Sequence, residues 1–543
     1  MQAHFLTILR DTETRVNRAL RAQNLNPQSP YHGAFIQHDG MYQAKSTIYQ
    51  AASMIAVYCC HQSRYYRDAS ILERIHLGLD YVQRVQHENG LFDYVTCNFF
   101  SAPDTAFCIV KIIPHLRYLR GVERTAEEDG ILSRLESIIH LGGRGLLEGG
   151  FHTPNHRWAI ASVLSICGKL FNEPDLTAAA SIYLNEGIDC NADGEYAEKS
   201  AGNYNAVNND AMLLLADALD DASFEEHVIR NLRMMLTYWE PDDSVFTANS
   251  TRFDKDRLVY ADGYYFEYLL MGVKHSIPEF TAMANHIMDV VDEKHILAPD
   301  VLIDLMNAPE LVAFECEACG TPDIYRAFYE DSGIARVRRG HYTYTVMRGK
   351  STFLHLHNGS IKLGVKIGGS FCEHRAFKPE TIVQDENGAF RLHQTMRGWY
   401  YLPFKEKPST SDWWQMDNAA RDKKLGPDMD IDVTIREVED GLEMDLSVTG
   451  VEGAPWRVEL AFGGIERIAN DHMSMAVRGD EVLVLRDSFF EASNAASVLT
   501  IGPAFGAHHF TEGKEDSEAK SAGCATVCLT DYTPFKRTVR IRV

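Results

Sequence analysis

The chain has 543 residues, 45% of them hydrophobic and 24% charged, with 38 Gly and 18 Pro. That composition excludes a disordered, collagen-like or disulfide-stapled class. Lys and Arg total 53 against 76 Asp and Glu, a net charge of −23, so neither nucleic acid nor an anionic membrane surface is an expected partner.

The opening, MQAHFLTILRDTETRVNRAL, lacks a basic leader and a sustained apolar run, and predicts a helix of the fold rather than a signal peptide. No window approaches about 18 consecutive apolar residues, which excludes a spanning helix. The 11 Cys are an odd count. Cys59, Cys60, Cys108 and Cys167 sit among apolar neighbours, which predicts free thiols and a cytoplasmic location. Cys316 and Cys319 form a CxxC with no second pair at zinc spacing, so structural thiols are expected there.

Up to about residue 325 the apolar period is helical. Ile71, Leu72, Ile75, Leu79, Val82 and Val85 paint one stripe that Asn89-Gly90 stops. Similar stripes recur over 104–119, 155–171, 206–219, 226–238 and 278–292, separated by loops rich in Gly, Pro, Asn and Asp, as in stacked or circularly arranged helical hairpins. Beyond about residue 335 the period becomes two, over 341–347, 431–438, 442–448, 456–460 and 538–543, which predicts an antiparallel β-sandwich or stacked sheets. The expected division is 1–325 and 326–543.

Four segments carry candidate chemistry. In Gly149-Gly-Phe-His-Thr-Pro-Asn-His-Arg-Trp158, Thr153 is the expected cap and Pro154 the first helical residue. Asn155, His156 and Arg157 then fall in the opening turn, where outward N–H groups and the helix dipole favour an anion and a neutral imidazole. Polar residues that merely satisfy a helix start explain the same pattern. Next, a helix from Tyr204 follows a segment whose Asn203, Asn205, Asn208 and Asn209 are poor helix formers, a density of amides suited to a hydroxyl-rich ligand; a core tyrosine is the competing explanation. Third, Asn98, Phe99 and Phe100 set aromatic rings among polar groups in a loop, as a sugar platform or a loop folded onto the core. Finally, His355 and His357 share one side of a strand and can hold a metal together, reach into a cleft, or be plain sheet residues. Trp399, Tyr400, Trp413 and Trp414 line a saccharide platform or fill the sandwich. No P-loop, GxGxxG after a strand, GxSxG or HExxH pattern is present.

Asn155-His156-Arg157 at one helix start, Glu198-Lys-Ser-Ala-Gly-Asn-Tyr204 further on and His355-x-His357 in the β half together resemble the heparinase II/III-like and oligoalginate lyase-like polysaccharide lyases. The resemblance implies an (α/α) toroid over 1–325, an antiparallel β-sheet domain over 326–543, and β-elimination at C4 of a uronic acid such as glucuronate. It implies His156 and Tyr204 as the acid/base pair, Asn155 and Arg157 as groups that neutralise the uronate carboxylate, and Asn98, Phe99, Phe100, Asn203, Asn208, His355, His357 and Trp414 as substrate contacts. Asn358 stands where the family usually has an Asp, which argues against a metal at that strand, and no cofactor is required. The expected partner is a short acidic oligosaccharide. An inverting glycoside hydrolase, drawing on Asp104, Glu198, Asp210 and Asp254, and a glycan-binding protein without turnover are the alternatives.

Overall fold

A computed structural model describes residues 1–37, 39–316, 320–512 and 518–543. Two compact units divide the chain: residues 1–238 with 244–321, and residues 239–243 with 322–543.

The first unit is helical. Its helices are α1 (Gln2–Ala22), α2 (Ala44–Cys59), α3 (Ala69–Val85), α4 (Ala102–Gly121), α5 (Ala126–Gly145), α6 (Pro154–Phe171), α7 (Pro174–Leu184), α8 (Tyr204–Leu219), α9 (Ser223–Met235), α10 (Tyr265–Lys274), α11 (Pro278–Lys294), α12 (Leu302–Asn307) and α13 (Pro309–Ala313). Helices α2, α4, α6, α8 and α10 pack each against the next, and α3, α5, α7, α9 and α11 each pack on the helix before them. The result is a toroid of five helical hairpins with an inner and an outer layer. Sequence sets the layer: α6 is buried continuously from Trp158 to Gly168, as an enclosed helix must be. Outer α3 buries one stripe, Ile71, Ile75, Leu79 and Val82. Asp68 caps α3 by accepting from the Ser70 and Ile71 N–H groups. Past its end, Gly90 takes φ +90°, and a Cβ there would lie 2.0 Å from the Leu141 carbonyl oxygen, so only glycine fits that stop.

The second unit is a pair of sheets that are antiparallel apart from Val482–Val484, which pairs in parallel with Ala525–Tyr532. The long strands Phe390–Tyr401, Lys423–Val438 and Gly441–Thr449 are successive neighbours in one sheet; Pro455–Gly463, Ile361–Phe371 and Leu354–Asn358 are neighbours in the other. Alternation puts Met429, Ile431, Val433 and Ile435 inward, against a core that includes Trp456, Phe353 and Leu460. Trp413 and Trp414 are 59% and 90% exposed, so they do not fill the sandwich.

The short segment 239–243 leaves the helical half of the sequence to join the β unit. Glu240 is why. Its carboxylate pairs with the fully buried Arg336 at 2.9 Å and with His357 Nδ1 at 3.0 Å, and accepts from the Thr343 hydroxyl. Burial alone would raise the Glu240 pKa, but Arg336 first, then His357 and Thr343, hold it well below the usual range. Among the described residues no helix is long and apolar enough to cross a membrane. The described cysteines are free; Cys319 lies outside the described residues.

Candidate functional site

The N-terminal ends of the inner helices carry several polar and aromatic side chains. Lys45 comes from α2, Asp104 and Phe107 from α4, Asn155 and His156 from α6, and Tyr204 from α8. His156 is half-buried, its ring edge-on to Phe107 with centroids 5.7 Å apart. Its Nδ1 accepts the His152 N–H at 3.3 Å. Burial lowers its pKa to about 4; Asp104 opposes this, while His152, Arg252 and Lys45 add to it. The imidazole is therefore neutral at physiological pH and able to accept a proton.

On one side of His156, Lys45 pairs with Asp104 at 3.1 Å and lies over the Phe107 ring at 4.9 Å and the Tyr94 ring at 5.4 Å. Asp104 also accepts from Ser101, and Asn98 donates to the Ser101 hydroxyl at 2.9 Å and approaches His152 Nε2 at 3.3 Å. Phe99 and Phe100 are 65% and 54% exposed. Phe100, at φ +51°, stacks on His87 with centroids 4.2 Å apart.

Arg252 lies over the Tyr204 ring at 5.1 Å, and Phe253 meets that ring edge-on at 5.6 Å. Arg252 belongs to the loop between α9 and α10, and two buried carboxylates fix that loop to the start of α8. Asp254 accepts from the Ser200 and Ser250 hydroxyls and the Gly202 N–H. Glu198 pairs with Arg252 at 3.2 Å, while its carbonyl accepts from Thr251. Glu198 is 2% exposed; burial raises its pKa, against the pull of Asn155 and Arg252. Arg252 thus covers Tyr204, acts on His156 by its charge, and is tied through Glu198 to Asn155.

Several expectations are corrected. Asn155 is wholly buried, and its amide donates to both Glu198 oxygens at 2.8 Å and to Thr153 at 3.2 Å. Its donors are spent, so it cannot grip a ligand carboxylate; it positions Glu198. Thr153 makes no side-chain cap, its hydroxyl oxygen being taken by Asn155. Arg157 stacks on Trp158, pairs with Glu186 at 3.1 Å and Asp189 at 3.9 Å, and keeps 16% of its side chain exposed. Asn203 sits at the start of α8, and Asn208 is 1% exposed with neither amide atom partnered. In the β unit His357 is 8% exposed and its Nδ1 is spent on Glu240, a structural role where a ligand contact was expected. His355 lies half-buried on the same strand, and Trp414 stands on a surface turn. Among the described residues no three His, Cys, Asp or Glu side chains are grouped to hold a metal ion.

Sequence reasoning missed Arg252 and Lys45. A signal for Arg252 existed: residues 236–260 form a long connection without helical period, and loops beyond about 12–15 residues in compact domains are commonly functional. A lone Lys in the first turn of a helix gives no such signal.

Other proteins of known structure have the same architecture. The chain shares the fold of polysaccharide lyases. A Paenibacillus xanthan lyase superposes with TM-score 0.58 at 10% identity, over 99% of this chain and 57% of that one. A Streptomyces coelicolor A3 chondroitin AC lyase, solved in complex with chondroitin sulphate, gives 0.53 at 11% identity over 98% and 79%. A heparinase III gives 0.54 at 11% identity over 92% and 78%. The chain therefore spans little more than half the length of the xanthan lyase. No protein-family model and no curated protein sequence matches it.

Proposed function

We propose that the protein is a glycan lyase that cleaves the bond at C4 of a uronic acid by β-elimination, leaving a 4,5-unsaturated uronate. The observation that carries this reading is a neutral imidazole, His156, under the charge of two cations: Lys45 at the start of α2, and Arg252 of the α9–α10 loop, which lies over the Tyr204 phenol. The C5 proton of a uronate is barely acidic while its carboxylate is charged, so a site for elimination must hold that carboxylate and favour the enolate-like intermediate. Arg252 and Lys45 keep 31% and 26% of their side chains exposed, against 16% for Arg157, and take the role first assigned to Asn155 and Arg157. A base then removes the C5 proton, the C5 electron pair forms the C4–C5 double bond, and the glycosidic oxygen leaves C4 with a proton from the acid. His156 serves as base and Tyr204 as acid when proton and leaving group lie on opposite faces; Tyr204 serves both when they share one.

Local cations answer the objection of net charge. Screening acts over about 8 Å at physiological salt, so a short acidic oligosaccharide is held at this cluster while a long polyanion is repelled by the rest of a −23 molecule. The relatives' fold supports the reading, as do the substrates named for them. Hydrolysis is less well served: Glu198 and Asp254 are 2% and 1% exposed, and their oxygens are engaged by internal partners. The test is a panel of short glucuronate-, galacturonate- and mannuronate-containing oligosaccharides followed by the ultraviolet absorbance of the new double bond. New reducing ends without that absorbance would mean hydrolysis.

A further inference from the structure

Two strands of the β unit run on beyond their neighbours. Phe390–Tyr401 and Lys423–Val438 pair with each other out to Tyr401 and Lys423, whereas the strands beside them reach only to His393 and Asp430. The result is a two-stranded arm, residues 397–401 with 423–428, capped by 402–422. A lone two-stranded ribbon is marginally stable in water, yet this one carries exposed apolar side chains. Tyr400 and Tyr401 are 51% and 39% exposed, Trp413 and Trp414 59% and 90%, and Leu425 79%. Cations stand on its rings: Lys423 lies over Trp399 at 3.9 Å and Tyr401 at 5.3 Å, and Arg421 over Tyr401 at 5.0 Å. Lys405 pairs with Asp422 at 2.8 Å, but Arg421, Lys423 and Lys424 meet no carboxylate among the described residues.

Charge names the partner. Over 397–425 six Lys and Arg stand against four Asp and Glu, in a chain that totals 53 against 76, so the arm is a basic segment of an acidic molecule and complements another copy of it. The matching acids follow on the same strand. Asp428, Asp430 and Asp432 alternate with Met429 and Ile431, which face the core, and so point outward. A twofold axis near Gly426 sets Arg421, Lys423 and Lys424 of each copy against these acids of the other, the self-complementary pattern of an isologous pair. We propose that this arm is a self-association surface whose partner is a second copy of the chain. Area suffices: at about 150–250 Å² per aromatic side chain, the exposed parts of these rings with Leu402 and Leu425 offer on the order of 500–800 Å², near the roughly 800 Å² each partner gives a stable interface. Pro427 and the register shift at Gly398 interrupt the free strand edge, so side chains rather than backbone pairing make the contact. Screening over about 8 Å lets these local contacts outweigh the repulsion between two −23 chains.

Sedimentation velocity of the full chain from about 1 to 100 μM, the range of weak interfaces of this size, tests this. A species of twice 61.2 kDa should grow with concentration at physiological salt. Lys423→Glu with Lys424→Glu should weaken association at least about tenfold, because like charges then face each other. Trp414→Ser with Leu425→Ser should weaken it as well, by removing apolar area. All four side chains are exposed, so melting temperatures should stay unchanged. Asp428→Lys with Asp432→Lys should be monomeric alone, yet form a mixed pair with the Lys423→Glu, Lys424→Glu chain. The inference fails if the wild type stays monomeric throughout, if either arm variant associates like the wild type, or if mixing the oppositely charged variants restores no pairing. A monomer whose arm instead binds phosphatidylcholine vesicles or chondroitin sulphate would overturn it equally.

Discussion

Replacing Asn155 by Leu removes the amide that serves Glu198 and keeps the volume of a wholly buried side chain. Two contacts of 2.8 Å to a carboxylate that is 2% exposed disappear, leaving Arg252 at 3.2 Å as its partner. Hydrogen bonds to charged groups contribute about 1.5–3 kcal/mol each. These two share one N–H fork and one carboxylate, so the loss is about 2–3 kcal/mol for the helical unit at neutral pH. The sign with pH follows from linkage. Burial already raises the Glu198 pKa, and losing Asn155 raises it further. Below the range of an ordinary glutamate, near 4.3, Glu198 is protonated in both proteins and the deficit is small. It opens as pH rises past the wild-type folded pKa and levels off above that of the variant. Thermal melts from pH 4 to 8, followed by a signal of the helical unit, measure it, and Asn155→Leu combined with Glu198→Gln should flatten the dependence. A deficit of the same size at every pH would refute the argument, because it would assign the loss to packing.

Three more outcomes follow from the same contacts. The His156 imidazole should titrate near pH 4 by NMR. Since its folded pKa lies below the ordinary 6.5, it withdraws stability as pH falls from 6.5 towards 4, and His156→Gln should remove that part of the acid sensitivity; a midpoint near 6.5 would contradict the described burial. Arg252→Ala should lower kcat by about 10²–10³, the scale of losing one donor to developing negative charge, with a smaller change in KM; a change confined to KM would assign Arg252 to ground-state binding alone. Glu240→Gln should destabilise the β unit by about 3–5 kcal/mol, because it leaves the Arg336 charge buried without its partner. The wild-type pair contributes above the ordinary glutamate range and loses that contribution as pH falls through the depressed pKa of Glu240; chemical denaturation followed at Trp456 reads both effects.

Much of the architecture was legible because period reports burial. The stripe at Ile71–Val85 and the alternation over 431–438 required only that apolar side chains face one way. The strand containing 431–438 begins earlier, at Lys423, since its first half is largely exposed and carries no apolar alternation to read. At the site, Asn155, His156 and Tyr204 stood out as polar or aromatic groups at helix starts. Their partners did not, because hydrogen bonding between distant segments has no period. Whether an amide meets a substrate or Glu198, 43 residues away, is decided by tertiary packing alone. The same holds for His357, whose partner Glu240 comes from a five-residue excursion inside the helical half.

The most direct measurement compares the unsaturated uronate released by the wild type with that released by His156→Ala and Tyr204→Phe, each checked for an unchanged melting temperature. The account predicts absorbance from the wild type and a fall in kcat of about 10²–10⁴ in each variant, the contribution of one proton-transfer group. Near-normal release of the unsaturated product by both variants would place the chemistry elsewhere in the molecule.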